Sequence, residues 1–215
     1  MGNPSRTSAA VDPKDVASKM KFEYSRGAWT PSTKVLDAVT RLCWQLENRD
    51  MTADAMIREV ANSITKHLGI ASVAIATRDP LDKLYRYKAV IGLDDQAVRD
   101  FMRIVYTKEQ LMDANTYPSY EISSRTRLYL GEDHPYAPGE EFGYKRPGLL
   151  GMNRGSLTEN LEADYLDFYF PGADGDIAGF IETSGTKFRQ LPDTSTILWI
   201  ELIASILGHA LRLKK

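Results

Sequence analysis

The sequence is short of the residues that mark several chemistries. Cysteine occurs once, at Cys43, which excludes an internal disulfide and a zinc cluster built from cysteines. Histidine occurs three times. His134 is flanked by Glu132, Asp133 and Pro135, not by the three or four spaced donors that zinc requires, so no metal site is expected. Positive charge is not in excess: 27 Lys+Arg against 29 Asp+Glu give a net charge of -2. That balance argues against phosphate-backbone binding and against attraction to anionic membranes. No apolar run approaches the roughly 20 residues of a membrane-spanning helix, and the N-terminus lacks the apolar core of a secretory signal. Gly-rich phosphate loops are missing, and Ser123-Ser124 lacks the flanking glycines of a nucleophile elbow. Asp164 and Asp167, three residues apart, fall on opposite faces of a strand and do not form a carboxylate pair. A cytoplasmic, non-catalytic protein with neither a nucleic-acid nor a membrane partner is expected.

What is present is a normal share of core-forming residues, 43% hydrophobic in 215 residues, enough for one domain with an appendage. The strongest local signal lies between Leu161 and Gly185. Two apolar, aromatic-rich runs, Tyr165–Phe170 and Ile177–Thr183, flank a segment with Pro171, Gly172, Asp174 and Gly175, which predicts a β-hairpin. From Asp193 to Leu213 the pattern becomes a long, nearly all-apolar helix, with Glu201, Ser205 and His209 in one narrow polar stripe. So little polar surface predicts cover on more than one side, from the sheet, the first helix and a second subunit.

Residues 1–31 are polar and broken by Pro4, Pro13, Gly27 and Pro31, and read as a flexible arm with a short helical turn over Lys14–Lys21. Within it, Phe22, Tyr24 and Trp29 are expected to dock. Ser32 is the expected cap of a helix reaching about Asn48, with an apolar seam at Val35, Val39, Leu42 and Leu46. A second helix begins after Thr52 and stops at Gly69. Strands are predicted over Ile70–Thr77 and Leu84–Ile91. A helix capped by Asp94 or Asp95 follows, with Val98, Phe101, Met102 and Val105 on one face, and then one further strand over Tyr120–Leu130.

Gly131 to Asn160 is unusual for its length, its six glycines and its aromatics at 136, 142 and 144. A segment of this kind inside a domain is commonly a lid, a binding segment or a disordered insertion, and the apolar Tyr136, Phe142, Tyr144, Leu149, Leu150 and Met152 weigh against full disorder, so it is expected to fold over something. The order helix, helix, strand, strand, helix, strand, loop, strand, strand, helix lacks parallel βαβ alternation. The predicted class is therefore α+β. An antiparallel sheet carries the terminal helices on one face, while the middle helix and the long loop cover a ligand pocket on the other.

That order, together with the run Glu162–Pro171, then Gly172, Gly179 and the closing Phe188–Ala210 region, resembles a GAF domain over about Ser32 to Leu213. Ser119-Tyr120-Glu121-Ile122 is similar to a Ser-Tyr-Phe-Ile strand of one branch, with Glu121 departing from it. The resemblance implies residues 32–215 as a small-molecule sensory domain that pairs with a second copy through its terminal helices. It also implies what this chain does without. Bilin-binding relatives use a cysteine at the pocket, whereas Cys43 lies on the first helix; the methionine sulfoxide reductase branch needs several cysteines; the Asn-Lys-Phe-Asp-Glu set of cyclic-nucleotide binders is missing.

The expected function is thus ligand sensing in a signal-transduction or regulatory system, with a separate output protein as a further candidate partner. Arginine and tyrosine near the expected pocket suit an anionic or aromatic ligand. The candidate binding residues are Tyr120, Arg125, Arg127, Tyr129, Tyr144, Met152, Arg154, Phe168 and Phe180, with Arg127 and Tyr129 foremost because they sit on a strand. The cofactor is unknown. Two alternatives stand beside this reading: a scaffold that dimerises without a ligand, and a haem or redox sensor using His67, His134 or His209.

Overall fold

The computed structural model describes residues 13–26, 30–48, 50–133, 154–172 and 175–214. The chain divides into two units, Met1–Lys34 and Val35–Lys215. In the first, α1 (Pro13–Arg26) is longer than the turn expected there and carries a Lys19–Glu23 ion pair one helical turn apart. The side chain of Tyr24 and all of Trp29 lie outside the described residues. Helix α2 (Pro31–Leu46) starts two residues earlier than a cap at Ser32 implies. Thr30, not Ser32, is the cap: its Oγ1 accepts from the Thr33 amide, and Pro31 takes the first helical position, where no N–H is needed.

In the second unit the sequence folds as local chemistry dictates. Thr52 caps α3 (Ala53–His67) by accepting from the Ala55 amide, and the helix buries Met56, Ile57, Val60, Ala61 and Ile64 along one stripe. Strands β1 (Val73–Arg78) and β2 (Tyr85–Ile91) follow. Asp94 caps α4 (Asp95–Phe101). That helix is shorter than the expected apolar face: Met102 and Val105 are exposed, and Val105 belongs to a two-residue strand β3 (Val105–Tyr106) on the free edge of β2. A capping box of Thr107 and Gln110 sets the short helix α5 (Lys108–Leu111).

The single strand expected over Tyr120–Leu130 is instead a tight hairpin of β4 (Tyr120–Ser123) and β5 (Thr126–Tyr129). The Ser123 hydroxyl accepts from the amides of Arg125 and Thr126 and so folds the chain back on itself. Strands β6 (Tyr165–Pro171) and β7 (Ile177–Thr183) form the central hairpin, β6 running one residue further than predicted to include Pro171. Asp193 caps α6 (Thr194–Arg212).

Among the described residues the seven strands make one antiparallel sheet in the order β3-β2-β1-β7-β6-β5-β4. Alternation along the strands separates two cores. Val73, Ile75, Leu166, Phe168, Phe170 and Ile181 pack with α2, α3 and α6 on one face. Ala74, Ala76, Tyr85, Tyr87, Tyr169 and Phe180 pack with Phe101 of α4 and Leu111 of α5 on the other. Helix α6 is the one described helix long and apolar enough to cross a membrane, at 19 residues, which corrects the expectation that no such run exists. Its Ile200, Ile203, Ala204 and Leu207 are buried against the sheet, as in the core helix of a globular domain. Burying each of the three larger side chains, Ile200, Ile203 and Leu207, contributes about 1.5–3 kcal/mol.

The polar stripe of α6 has a specific use. Glu201 Oε1 accepts from the hydroxyls of Ser123 at 2.5 Å and Thr126 at 2.6 Å, while Arg125 donates to Ser205 at 3.0 Å. The helix is therefore fastened to the β4–β5 hairpin by charge-assisted hydrogen bonds. Close packing elsewhere is enforced by glycine. A Cβ on Gly179 would stand 2.3 Å from the Ala76 carbonyl oxygen and 2.5 Å from the Phe170 ring. Gly179→Ala is expected to cost about 1–3 kcal/mol or more, through this overpacking; a urea midpoint unchanged from wild type would contradict the packing described.

Candidate functional site

The face opposite the long helices carries an unusual polar centre. On β6 and β7, Asp167 stands directly opposite Glu182, and neither belongs to the helix-side core. Asp167 is 4% exposed. Burial and the neighbouring Glu182 carboxylate raise the Asp167 pKa far above the usual carboxylate range, against opposing contributions from a Tyr169 hydrogen bond and from Arg127. Tyrosines from three strands supply the donors. Tyr87 on β2 donates to Glu182 Oε2 at 2.5 Å, and Tyr169 on β6 donates to Asp167 Oδ2 at 3.2 Å. A phenol has one proton, so the 3.0 Å contact between Tyr129 and Tyr169 has Tyr129 as donor. Desolvation is the largest cause raising all three phenols, which stay protonated donors. Asp167 Oδ1 has no hydrogen-bond partner although it is buried.

Beside this centre is a cleft of about 110 Å³, lined by Ala74, Phe101, Asp164, Tyr165, Glu182 and Ser184 among others. Ala74 and Ala76 pair with Glu182 and Phe180, so β1 leaves room where its neighbours carry large or charged groups. A more open groove of about 370 Å³ lies between the start of α3, the β1–β2 turn and the end of α6. Its charges include the exposed Lys83 and Arg212, whereas the smaller cleft abuts buried acids, which makes the smaller one the candidate site.

The base of the long loop closes at the same place. Arg154 uses all five of its N–H donors: Nε and one terminal nitrogen grip Glu132 at 3.0 and 2.8 Å, the two terminal nitrogens grip Asp164 at 2.8 and 2.9 Å, and one also donates to the Glu159 carbonyl. Asp164 further accepts from the Gly131 and Leu161 amides. Residues before and after the 134–153 segment are thereby tied together at the cleft wall.

The expected binding residues separate accordingly. Tyr129 is buried on the cleft face and stacks on Tyr165, a cleft-lining residue, at 4.4 Å between ring centroids. Phe180 shares that face in the smaller core, and Arg127 pairs with Asp167 across β5 and β6. Phe168 does not join them: it is fully buried in the helix-side core, because strand alternation turns it away from Asp167 and Tyr169. Arg125 sits in the β4–β5 turn against Ser205 of α6, also away from the cleft. Tyr120 is exposed and donates to Asp133 at 2.8 Å, anchoring the start of the loop. Arg154 is the clamp just described, with no donor left over for a ligand. Tyr144 and Met152 lie outside the described residues, as do His134 and most of the 131–160 segment.

The reading that Asp164 and Asp167 form no pair stands, since Asp164 precedes β6 and binds Arg154. What local spacing missed is the pair made across the hairpin, Asp167 with Glu182. The available signal was one acid inside each apolar run; their pairing also depends on the register shift at Phe170/Pro171. Among the described residues no three His, Cys, Asp or Glu side chains converge as metal ligands, and His67 and His209 are exposed on α3 and α6. The Cys43 thiol has its pKa raised, by burial first and Glu47 second, which opposes thiolate chemistry.

Two outcomes follow from this geometry. Arg154→Ala leaves Asp164 buried without its countercharge and is expected to cost about 3–5 kcal/mol, partly restored by adding Asp164→Asn; the check is denaturant unfolding of both variants. A carboxyl whose pKa is raised on folding binds its proton more tightly in the folded state, so its contribution to stability falls as pH rises above the unfolded value of about 3.9. Asp167→Asn should therefore gain stability relative to wild type as pH goes from 4 to 7; a difference independent of pH would contradict the buried pair.

No protein-family model matches the sequence, and no curated protein matches it. Solved structures do. The GAF domain of a phosphoenolpyruvate-protein phosphotransferase from Coxiella burnetii matches at 12% identity, covering 85% of this chain and 95% of that one, with a TM-score of 0.54. The nlh2 GAF domain from A. aeolicus matches at 14% identity over 86% and 100% of the two chains, TM-score 0.54. A GAF domain/HD domain protein from Geobacter sulfurreducens matches at 11% identity over 80% and 97%, TM-score 0.54. At these identities the likeness is one of fold. Its sheet order, its terminal helices on one face and its cleft on the other make this chain a GAF-fold domain.

Proposed function

We propose that this chain is a cytoplasmic sensory domain that takes a small molecule into the cleft lined by Asp164, Tyr165 and Glu182 and signals through its terminal helices. The observation that carries the reading is the cleft itself. Its wall is Glu182 and Tyr165, its neighbour is a buried acid with an unpartnered oxygen, and the clamp of Arg154 on Glu132 and Asp164 holds the loop base beside it. Buried polar groups without partners are rare in structural cores and common at binding sites. The similar solved domains come from a phosphotransferase and from an HD-domain protein, a context consistent with regulation of a separate output.

Ligand capture and output meet in the sheet. Strand β6 carries Asp167 and Tyr169 on the cleft face and Phe168 and Phe170 on the face that packs α6. Any shift of β6 is thus felt by α6, whose Glu201 also holds the β4–β5 hairpin. Leu36 and Trp44 on α2, with Leu198 and Leu202 on α6, remain exposed on the helical side. They suit a second copy of this chain, or an output protein, as the remaining cover. The scaffold alternative shares this surface but makes no use of the cleft.

The sensing reading is tested by native mass spectrometry of protein purified from its host, combined with a thermal-shift screen of small metabolites. A bound small molecule, or a shift abolished by the cleft-filling variant Ala74→Leu, is expected; no bound mass and no shift would favour the scaffold. For assembly, light scattering should show a dimer of the wild type. The double variant Trp44→Asp/Leu198→Asp should run as a folded monomer, and a variant that still dimerises would remove the helical interface.

A further inference from the structure

The larger groove lies apart from the cleft. It takes Thr77, Arg78 and Asp79 from the end of β1, whereas the cleft takes Val73 and Ala74 from its start. Its volume of about 370 Å³ falls within the roughly 300–1,000 Å³ of small-molecule sites. Ile57 of α3, Ala178 of β7 and Leu211 of α6 give it an apolar lining continuous with the helix-side core.

Cations enter this groove from two sides. Lys83 comes from the β1–β2 turn, Lys88 from β2, and Arg212 from the last turn of α6. Among the described residues none of the three pairs with a carboxylate. Lys83 donates to the Pro80 carbonyl at 2.7 Å, Arg212 lies 3.4 Å from His209 Nδ1, and Lys88 makes neither a hydrogen bond nor an ion pair. Lys88 is nonetheless half-buried, a costly place for an ammonium that meets no acceptor. The register shift between Ile75 and Ala76 makes it the extra residue of β2, with no β1 residue opposite, and a bulge of this kind re-aims a side chain.

Two acids also line the groove. Asp79 is engaged within its own turn, accepting from the Leu81 amide at 2.8 Å with Arg86 at 3.9 Å. Asp54 stands in the first turn of α3, where the helix N-terminus favours an acid. Arg78 and Lys214 line the groove as well, but they bond Asp176 and the Asn48 carbonyl. Lys83, Lys88 and Arg212 set against Asp54 leave an excess of positive charge beside an apolar wall.

We propose that this groove is a second binding site, for a small amphipathic anion: a carboxylate carried on a short acyl chain or a single ring. The carboxylate is held by Lys88, Lys83 and Arg212, and its apolar body covers Ile57, Ala178 and Leu211. Arg212 can meet it with two parallel N–H donors, while each lysine adds a point charge. A purely inorganic anion would use the cations and leave the apolar wall bare. A neutral alcohol would do the reverse, and a cation has the wrong sign. The site is separate from the cleft and does not rest on the sensory reading of it.

The experiment titrates the intact chain at pH 7 and matched ionic strength with octanoate, octylammonium, octanol and acetate, read by calorimetry and by thermal shift. Octanoate is expected to bind most tightly, acetate and octanol at least about ten-fold more weakly, and octylammonium not at all. Lys88→Met and Arg212→Gln should each weaken octanoate about ten-fold, the loss expected for one charged hydrogen-bonding partner. Methionine keeps the unbranched length of Lys88, and Arg212 is exposed, so both variants should melt close to wild type without a probe. Octylammonium or octanol binding as tightly as octanoate, or octanoate affinity unchanged in the folded variants, would overturn the assignment. Octanoate binding abolished by the cleft-filling variant Ala74→Leu would move the probe to the cleft, which overturns the groove and supports the sensory reading. If octanoate does not bind at all, the groove assignment fails and the sensory reading is left to the host-purified protein.

Discussion

The pairing of β6 with β7 decides what each side of this domain can do. Its register sets Leu166 against Thr183, Asp167 against Glu182 and Phe168 against Ile181, so a single hairpin lays apolar bulk under the helices and two acids under the cleft. Slipping it by one residue would send the acids into the helix-side core and bring Phe168 to the cleft. Such a slip is opposed from both sides, because Leu166, Phe168, Phe170 and Ile181 are all fully or nearly fully buried against α6 and its neighbours. The apolar half of the hairpin thus holds the polar half in place, and the cost of burying Asp167 is offset by hydrophobic packing one residue away.

Two polar fastenings extend this arrangement outward. Glu201 on α6 receives Ser123 and Thr126 from the β4–β5 hairpin, joining the terminal helix to the sheet edge. Arg154 joins Glu132 to Asp164, closing the base of the long segment where the cleft opens. Both are charged groups with their hydrogen bonds met, and the contrast with Asp167 Oδ1 is instructive. The two fastenings meet their charges with hydrogen bonds, whereas Asp167 Oδ1 is buried without one. Strand β6 joins the two sides, since Leu166, Phe168 and Phe170 lie in one core and Tyr169 in the other.

Much of this architecture was legible in the residues. The bounds of the central hairpin, the caps at Thr52 and Asp193, and the stripe of α3 follow from turn chemistry and periodicity that act within a few residues. The β4–β5 turn was not legible, because YEISSRTRLYL carries no glycine or proline and the reversal depends on the Ser123 hydroxyl accepting two amides. The site was harder still. Tyr129, Arg127 and Phe180 reached the cleft face, whereas Phe168 was assigned without fixing the strand's parity, and Arg125 was counted as strand when it is turn. Arg154 was read as a ligand contact since its partners, Glu132 and Asp164, lie 22 and 10 residues away. The Asp167–Glu182 pair depends on cross-strand register, which comparison of near neighbours along one strand cannot reveal.

The central claim, that the β6–β7 register buries the Asp167 carboxyl opposite Glu182 on the cleft face, is most directly tested by a carbon-13 NMR titration of the Asp167 side-chain carboxyl. The account predicts that it titrates well above the ordinary aspartate value of about 3.9, with burial as the first cause and the Glu182 carboxylate as the second. A titration at the ordinary value would show that the carboxyl is solvated, and would contradict it.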